Sequence, residues 1–199
     1  MLIGLFGKIA AGKSSAIAYF KSIGFQTIDL DQVSKDISKA HSEVNKELAE
    51  HFGSEILQSD GTLNRQVLAD NAFDTQAHTQ LLNKVMHRHI SKEFIRQLDS
   101  LRDCYGSDLK LLVEIPLPDK AHDILRLCDF RICIDCPYHL RKKNALKRGM
   151  SLQDFELRDK RQASEEDYRA LALDIIENYG TEEEFKAKLK EWAKEHSLI

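Results

Sequence analysis

Short apolar runs recur along the chain and predict the strands of a buried sheet. The first run is Leu2–Phe6. Four further segments are predicted to be strands, at Phe25–Ile28, Leu109–Ile115, Phe130–Ile134 and Leu173–Ile176. Continuous apolar runs are typical of parallel strands that are covered on both faces, whereas half-exposed strands alternate between apolar and polar residues. The pattern therefore predicts a mostly parallel sheet of five strands.

Helical periodicity occupies the intervals between these runs. Apolar residues at steps of three and four predict helices at Lys13–Ser22, Val44–Phe52, Asn64–Asn71 and Thr75–Leu101. The region from about residue 41 to 105 holds no run of strand character, so we expect a helical insertion between the second and third strands. A further segment, Arg141–Arg161, is basic, helical and poor in large apolar residues. Strands that alternate with helices predict an α/β fold.

Composition agrees with one soluble globular domain. The chain has 199 residues, of which 42% are apolar and 31% charged, and its formal net charge is −3. Duplex-binding proteins usually carry a clear excess of lysine and arginine, so a nucleic-acid partner is not expected. No window approaches the roughly 20 apolar residues of a membrane helix, and Met1–Phe6 is too short for the apolar region of a signal peptide. We expect a cytoplasmic protein without a membrane partner.

Two of the four cysteines, Cys133 and Cys136, have the C-x-x-C spacing of metal and redox sites. No second Cys/His pair follows at the spacing of a zinc site. The stretch Phe130–Ile134 is also predicted to be a buried strand, in which cysteine is a common small apolar filler. Both interpretations stay open, and the filler role is the favoured one.

A complete match to the phosphate-loop motif G-x-x-x-x-G-K-[S/T] runs from Gly7 to Ser14. It lies between the first predicted strand and the first predicted helix, which is the context that the motif needs and a chance match lacks. Backbone N–H groups of such a loop and the positive end of the helix dipole hold phosphate oxygens. Lys13 is then expected to reach the β- and γ-phosphates, and the Ser14 hydroxyl to bind Mg²⁺. Ser15 is left between a contact to the α-phosphate and exposure to solvent.

Two carboxylates, Asp29 and Asp31, follow the second predicted strand. The carboxyl ends of strands line the ligand crevice of such sheets, and an i, i+2 spacing in an extended segment places both side chains on one side. One of them could accept a proton from a hydroxyl substrate or help to bind Mg²⁺. The alternative is a helix N-cap. Asp31 is the predicted chemical residue, and Asp29 is left between the two roles.

The long helix carries His87, Arg88 and His89. His89 falls among the apolar positions and is predicted to pack, whereas His87 and Arg88 point elsewhere and could meet an anionic substrate. Between Arg141 and Arg148 there are five basic residues and no acidic one. Such a stretch is either a solvated helix face or a lid whose guanidinium groups stabilise a transferring phosphoryl group.

An ordered series of motifs resembles the dephospho-CoA kinase family over almost the whole chain. The phosphate loop comes first, and Ile28–Asp31 is similar to the I-D-x-D segment of the family. The later motifs are His51–Gly53, Asp60–Arg65, Leu112–Leu117, the pair Arg158 and Gln162, and Asp174–Gly180. The loop alone indicates only a nucleotide, whereas the middle and C-terminal motifs are much more specific.

This resemblance implies a P-loop kinase fold similar to that of nucleoside monophosphate kinases. The five-stranded core would comprise about residues 1–40, 106–138 and 166–199, the helical substrate part about 41–105, and the helical lid about 139–165. The implied reaction is the ATP-dependent phosphorylation of the ribose 3′-hydroxyl of dephospho-CoA, with Mg²⁺. We expect a monomer or a weak homo-oligomer.

The resemblance also implies roles for single residues. Asp31 would be the base near the acceptor hydroxyl, with a contact to Mg²⁺ as a further role, and Arg65, His87 and Pro116 would lie on the substrate side. The implied ATP contacts are Ala10, Ala11, Gly12, Lys13, Ser14, Ser15, Arg148 and Arg158.

The chain departs from the family pattern at a few positions. Lys8, Ala10 and Ala11 stand in a loop that is usually richer in glycine. His87–Arg88 replaces a His-Pro pair, and Pro118–Lys120 replaces the segment with an acidic residue after the third strand. Two other functions therefore stay open: a related kinase with a different acceptor, and a nucleotide-binding paralogue without turnover.

Overall fold

Five parallel strands form the centre of the computed structural model, which describes residues 1–199. Their bounds are β1 Leu2–Phe6, β2 Gln26–Asp29, β3 Leu111–Glu114, β4 Phe130–Asp135 and β5 Asp174–Glu177. The strands lie in the order β2-β3-β1-β4-β5, and every neighbouring pair is parallel. The predicted sheet is confirmed, and each strand lies within two residues of its apolar run.

Ten α-helices complete the fold. Their bounds are α1 Lys13–Ser22, α2 Leu30–Ile37, α3 Glu43–Phe52, α4 Arg65–Ala72, α5 Gln76–Tyr105, α6 His122–Leu127, α7 Tyr138–Lys147, α8 Leu152–Arg161, α9 Glu165–Leu171 and α10 Glu182–Glu195. Short 3₁₀ helices lie at Ser54–Ile56, Gly106–Asp108 and Pro118–Lys120. Periodicity located α1, α3, α4 and α5, although α5 continues past its predicted end.

Helices α9 and α10 were not predicted, yet both begin with a local signal. In α9 the Ser164 hydroxyl accepts from the Asp167 N–H, and the Asp167 carboxylate accepts from the Ser164 N–H. Thr181 and Glu184 form the same capping box at the start of α10. A Ser or Thr followed three residues later by an acidic residue is the sequence signature of this box. Helix α6, also missed, has no side-chain cap.

Helix α2 corrects the prediction for the two aspartates after β2. Asp29 is the last residue of β2, and α2 begins at Leu30, so Asp31 lies in the first turn of a helix. The extended i, i+2 geometry predicted for the pair is therefore wrong. The overlooked signal is the helical spacing of Leu30 and Val33, both of which are buried.

Helices cover both faces of the sheet. On one face, Ile3 and Leu5 of β1 share a core cluster with Phe20 of α1 and Trp192 of α10. On the other face, the ring of Phe6 meets that of Tyr168 in α9, with centroids 6.2 Å apart. Because both faces are covered, the central strand β1 and its neighbour β3 are buried at almost every position, whereas the edge strands β2 and β5 carry polar residues.

Two compact units make up the chain. Residues 1–29 and 105–199 contain the sheet, and residues 30–104 form a helical unit. The helical unit has its own core of Val44, Leu48, Phe52, Ile56, Leu68, Ala72 and Val85. The predicted division into a catalytic core, a substrate part and a lid is a functional one and stays a prediction. None of the helices has both the length and the apolar character that crossing a bilayer requires.

Candidate phosphate-binding site

The phosphate-loop motif forms the connection between β1 and α1, at the carboxyl edge of the sheet. β1 is the central strand, with β3 on one side and β4 on the other. Ligands of open α/β sheets bind at this edge, where the strand order reverses. Gly12 is the N-cap of α1, so the free N–H groups of the first helical turn also face this loop. The fold therefore builds an anion-binding loop where the motif predicts one.

Gly12 is one of the positions of the loop that require glycine. Its φ is +111°, and a Cβ atom on it would lie 2.3 Å from Nδ2 of Asn178. That same amide nitrogen donates a hydrogen bond of 2.8 Å to the carbonyl oxygen of Ala11. The glycine thus permits both the left-handed backbone and the close approach of a side chain that holds the loop.

Side-chain amides hold the loop where glycine is absent. Ala10 has a φ of +59°, and this left-handed conformation costs an L-residue about 1–2 kcal/mol. Nδ2 of Asn144 in α7 donates to the Ala10 carbonyl at 3.4 Å. Oε1 of Gln162, the C-cap of α8, accepts from the Ile9 N–H at 2.7 Å. These contacts support a conformation that alanine alone disfavours.

The Lys13 ammonium lies inside the loop. Its Nζ donates to the carbonyl oxygens of Gly7 at 2.9 Å and Lys8 at 3.4 Å. Nζ is also 3.9 Å from Oε1 of Glu114, the last residue of β3. Glu114 lies opposite Leu5 of β1 in the sheet register. Sequence reasoning missed this carboxylate, although an acidic residue at the carboxyl end of a buried strand is a signal for a site residue.

An open cleft of about 410 Å³ lies beside the loop. The loop, the end of α7 and the segment between β5 and α10 contribute its walls, which are Gly12, Ser15, Asn144, Lys147, Arg148, Asn178, Gly180, Glu182 and Phe185. The structure thus brings Ser15 and Arg148, two of the residues predicted to bind ATP, onto one surface. Ser15 is half-buried on this wall, and its contact to the α-phosphate stays a prediction.

The basic residues between Arg141 and Arg148 do not form one surface. For Arg141, both interpretations of this stretch, a solvated helix face and a lid, are wrong. Arg141 is only 1% exposed. Its Nε donates to the carbonyl oxygen of Cys136, and its two terminal nitrogens pair with Asp159 at 2.6 Å and Glu165 at 2.7 Å. A guanidinium that is buried and bonded through all three of its nitrogens in this way is neither a solvated group nor a lid cation. It joins α7, α8 and α9.

Two further predicted residues lie outside the cleft. Arg158 is exposed in the last turn of α8. Pro116 follows β3, and its carbonyl oxygen accepts from Nε2 of Gln162 at 3.3 Å and from the hydroxyl of Tyr168 at 2.9 Å. Pro116 therefore fixes the end of β3 to the segment that contains α8 and α9.

The helical unit carries the remaining predicted residues. Asp31 is exposed in the first turn of α2, and Arg65 is the exposed first residue of α4. His87 is half-buried on α5. Their roles toward a substrate stay predictions.

Arg88 and His89 share one partner on α3. Nε2 of His89 donates to the Glu47 carboxylate at 2.7 Å, and the Arg88 guanidinium pairs with the same carboxylate. The hydrogen bond from His89, reinforced by Arg88, holds the pKa of Glu47 below its usual range. His89 is an edge residue that packs, as predicted, whereas Arg88 ties α5 to α3.

Burial decides the chemistry of the C-x-x-C pair. Cys133 is 2% exposed within β4, and Cys136 is 3% exposed just after it. Burial raises the pKa of Cys133 to about 12 and that of Cys136 to about 11. Both residues are therefore protonated at neutral pH and fill space in the core, which agrees with the filler role.

Thiol labelling should separate one cysteine from the other three. Cys104 is exposed, whereas burial raises the pKa of Cys128, like that of Cys133, to about 12. At pH 8 we expect iodoacetamide to modify Cys104 quickly and the other thiols only after unfolding, because the thiolate is the reactive form. Peptide mass mapping measures this, with Cys104→Ser as the control. Fast labelling of Cys133 or Cys136 in the folded chain would contradict the filler role.

Comparison with known proteins gives independent findings. A family model described as dephospho-CoA kinase matches residues 1–184. A dephospho-CoA kinase of Corynebacterium glutamicum is 37% identical over 191 residues, which cover 94% of this chain and 92% of that protein. A crystal structure from Thermus thermophilus aligns with a TM-score of 0.77 at 26% identity, covering 98% of this chain and 97% of the other. A dephospho-CoA kinase from Campylobacter jejuni shares the fold with a TM-score of 0.70 at 24% identity, covering 98% and 96%.

Proposed function

Because the chain belongs to the dephospho-CoA kinase family, we propose that it transfers the γ-phosphate of ATP to the ribose 3′-hydroxyl of dephospho-CoA. The observation that carries this proposal is the family match over residues 1–184, within which the phosphate-loop motif is complete. The family is one of phosphotransferases, and its kinases use ATP as the phosphate donor. Transfer would therefore follow the in-line course of phosphoryl transfer, in which positioning and charge stabilisation dominate.

The phosphate chain of ATP is assigned to the loop. Backbone N–H groups of Ala10 and of residues 12–14 would bind phosphate oxygens, and the helix dipole of α1 adds to their attraction. The Ala11 N–H donates to the Lys8 carbonyl oxygen within the loop. The Lys13 ammonium already lies against two loop carbonyls, those of Gly7 and Lys8. The β- and γ-phosphate oxygens would replace these acceptors, so that the charge of Lys13 acts where negative charge develops.

Ser14 and Glu114 fit the needs of the Mg²⁺ that accompanies ATP. Mg²⁺ prefers oxygen ligands and keeps several waters. Ser14 has an exposed side chain with a hydroxyl group in the first turn of α1. Glu114 supplies a carboxylate at the end of β3, the strand beside β1. Asp31 is the further carboxylate that the sequence suggests. A bound ion would neutralise charge on the phosphates, while the two side chains hold its water shell.

The cleft beside the loop is proposed to hold the nucleoside part of ATP. Its volume of about 410 Å³ lies in the usual range for small-ligand pockets. Ser15 and Arg148 on its wall would face the α-phosphate, and Arg158 of α8 would approach the transferring phosphate from the lid.

The acceptor side rests on the helical unit. Asp31, exposed on α2, is proposed to accept the proton of the 3′-hydroxyl as the oxygen attacks the γ-phosphorus. Arg65 and His87 are proposed to hold the anionic part of dephospho-CoA, and Pro116 to border it.

The expected location is the reducing cytoplasm, which four unpaired thiols support. A monomer or weak homo-oligomer is the expected state.

An acceptor panel tests the proposed function. We expect the purified chain, with ATP and Mg²⁺, to convert dephospho-CoA into coenzyme A, measured as ADP release and as the mass of one added phosphoryl group. Adenosine, shikimate and a sugar serve as competing acceptors, because Arg88 and Pro118–Lys120 depart from the family pattern. Turnover with one of these alone would make the chain a related kinase. ATP binding without transfer to any acceptor would leave a paralogue without turnover.

A further inference from the structure

A second lysine stands in the phosphate loop, directly after its first glycine. Lys8 occupies this position, where the family's loop is richer in glycine. Its Nζ lies 3.3 Å from Oδ1 of Asp159, and the two side chains are only 12% and 16% exposed. Because solvent screens a partly buried pair less than an exposed one, this ion pair is stronger than a typical surface contact.

Asp159 is a fixed partner rather than a mobile one. The same Oδ1 atom accepts from Nη1 of Arg141 at 2.6 Å. Arg141 is itself held by the carbonyl oxygen of Cys136 and by the carboxylate of Glu165. The last turn of α8 is thus anchored beside the end of β4, and its carboxylate is directed to Lys8.

A hydrogen bond next to the ion pair joins the same two segments. The N–H of Ile9, the residue after Lys8, donates to Oε1 of Gln162 at 2.7 Å. Two consecutive loop residues therefore contact one short stretch, Asp159–Gln162, at the end of α8. This stretch directly follows Arg158, the exposed arginine of that helix.

We propose that Lys8 is a positioning residue for phosphoryl transfer: its ion pair with Asp159 sets the end of α8 relative to the phosphate loop. This inference builds on the proposed function. A displacement of about 1 Å in such an arrangement can cost about 10²-fold in rate. The ion pair thereby gives the loop, which lacks several of the family's glycines, a defined position relative to Arg158.

The proposal differs from a direct contact between Lys8 and the phosphates. If Lys8 contacted the phosphates directly, its loss would lower kcat equally whether or not residue 159 carries a charge. If Lys8 acts by positioning, its loss lowers kcat only while the Asp159 carboxylate is present. Double-mutant cycles measure this difference.

The test is such a cycle on the ATP and dephospho-CoA reaction, with Lys8→Gln, Asp159→Asn and the double variant. We expect Lys8→Gln to lower kcat about 10-fold with a smaller change in KM for ATP, as for an interaction realised in the transition state. In the Asp159→Asn background the same change should lower kcat less than about 2-fold. Lys8→Arg should restore kcat to within about 3-fold. Lys21→Gln, which removes an exposed lysine at the end of α1, is the matched control.

Each outcome decides one question. Equal losses in both backgrounds, or no loss on Lys8→Gln, would overturn the positioning role. An inactive unmodified chain would instead overturn the proposed function, before any variant is compared. Thermal melting checks each variant, because Asp159→Asn also removes a partner of buried Arg141. If that variant does not fold, Asp159→Glu replaces it: this change keeps the charge for Arg141 but moves the carboxylate, and the Lys8→Gln loss should again shrink.

Discussion

Replacing Lys13 with alanine should lower kcat for phosphoryl transfer by about 10³-fold, the upper range for the loss of one preorganised donor. The Lys13 ammonium is inside the loop, 2.9 Å from the Gly7 carbonyl oxygen and 3.9 Å from Glu114, where the β- and γ-phosphates are proposed to bind. Steady-state kinetics with ATP, Mg²⁺ and dephospho-CoA measure the effect.

Variants of two other lysines serve as comparisons for this prediction. Lys8→Ala removes a charge from the same loop and should cost only about 10-fold, because Lys8 faces Asp159 and acts through position. Lys21→Ala removes an exposed charge at the other end of α1 and should leave kcat unchanged. Equal losses for Lys13→Ala and Lys8→Ala would show that the assignment of the loop is wrong. Melting curves exclude unfolding as the cause.

Replacing Asp31 with asparagine should lower kcat about 10²–10⁴-fold, the usual contribution of a general base. Asparagine keeps the size of the side chain but cannot accept the proton of the acceptor hydroxyl. KM for ATP should change little, because the proposed nucleotide contacts belong to the loop and its cleft.

Asp36→Asn is the matched control for this experiment. Asp36 lies on the same helix, α2, where it pairs with Lys39 at 2.9 Å and accepts from Gln32. Its replacement removes a carboxylate without touching the proposed chemistry, so kcat should stay within about 2-fold. A kcat of Asp31→Asn within the same limit would leave Asp31 as a helix first-turn residue, with a contribution of about 0.5 kcal/mol through the helix dipole.

Local sequence was a good guide wherever local physics decides the structure. The strands were predicted because a sheet covered on both faces needs apolar runs, and the loop because its motif needs a strand before it and a helix after it. The same kind of signal was present but overlooked in the capping boxes at Ser164 and Thr181 and in the helical spacing of Leu30 and Val33. These errors concern local patterns that a closer reading of the sequence can find.

The candidate site was less predictable, because its contacts join distant parts of the chain. Asn144 and Asn178 hold two consecutive loop carbonyls. Asn178 belongs to the family motif Asp174–Gly180, but nothing in the local sequence connects either amide to the loop. Glu114 reaches the neighbourhood of Lys13 only because β3 pairs with β1. Ile9 and Gln162 lie 153 residues apart in the sequence, so no local pattern could predict their hydrogen bond.

The basic residues after β4 show what the sequence determines and what only the tertiary structure decides. By itself, the sequence determined the α/β class, the phosphate loop and the family, because apolar periodicity, a compact motif and an ordered motif series are all readable along the chain. Only the tertiary structure decided which cations of that stretch remain available. Arg141 is buried because Asp159 and Glu165 come to it from 18 and 24 residues away, whereas Arg148 lines the open cleft and Lys8 receives the second contact to Asp159. Charge is a property of the residue, but its availability depends on which opposite charges the fold places beside it.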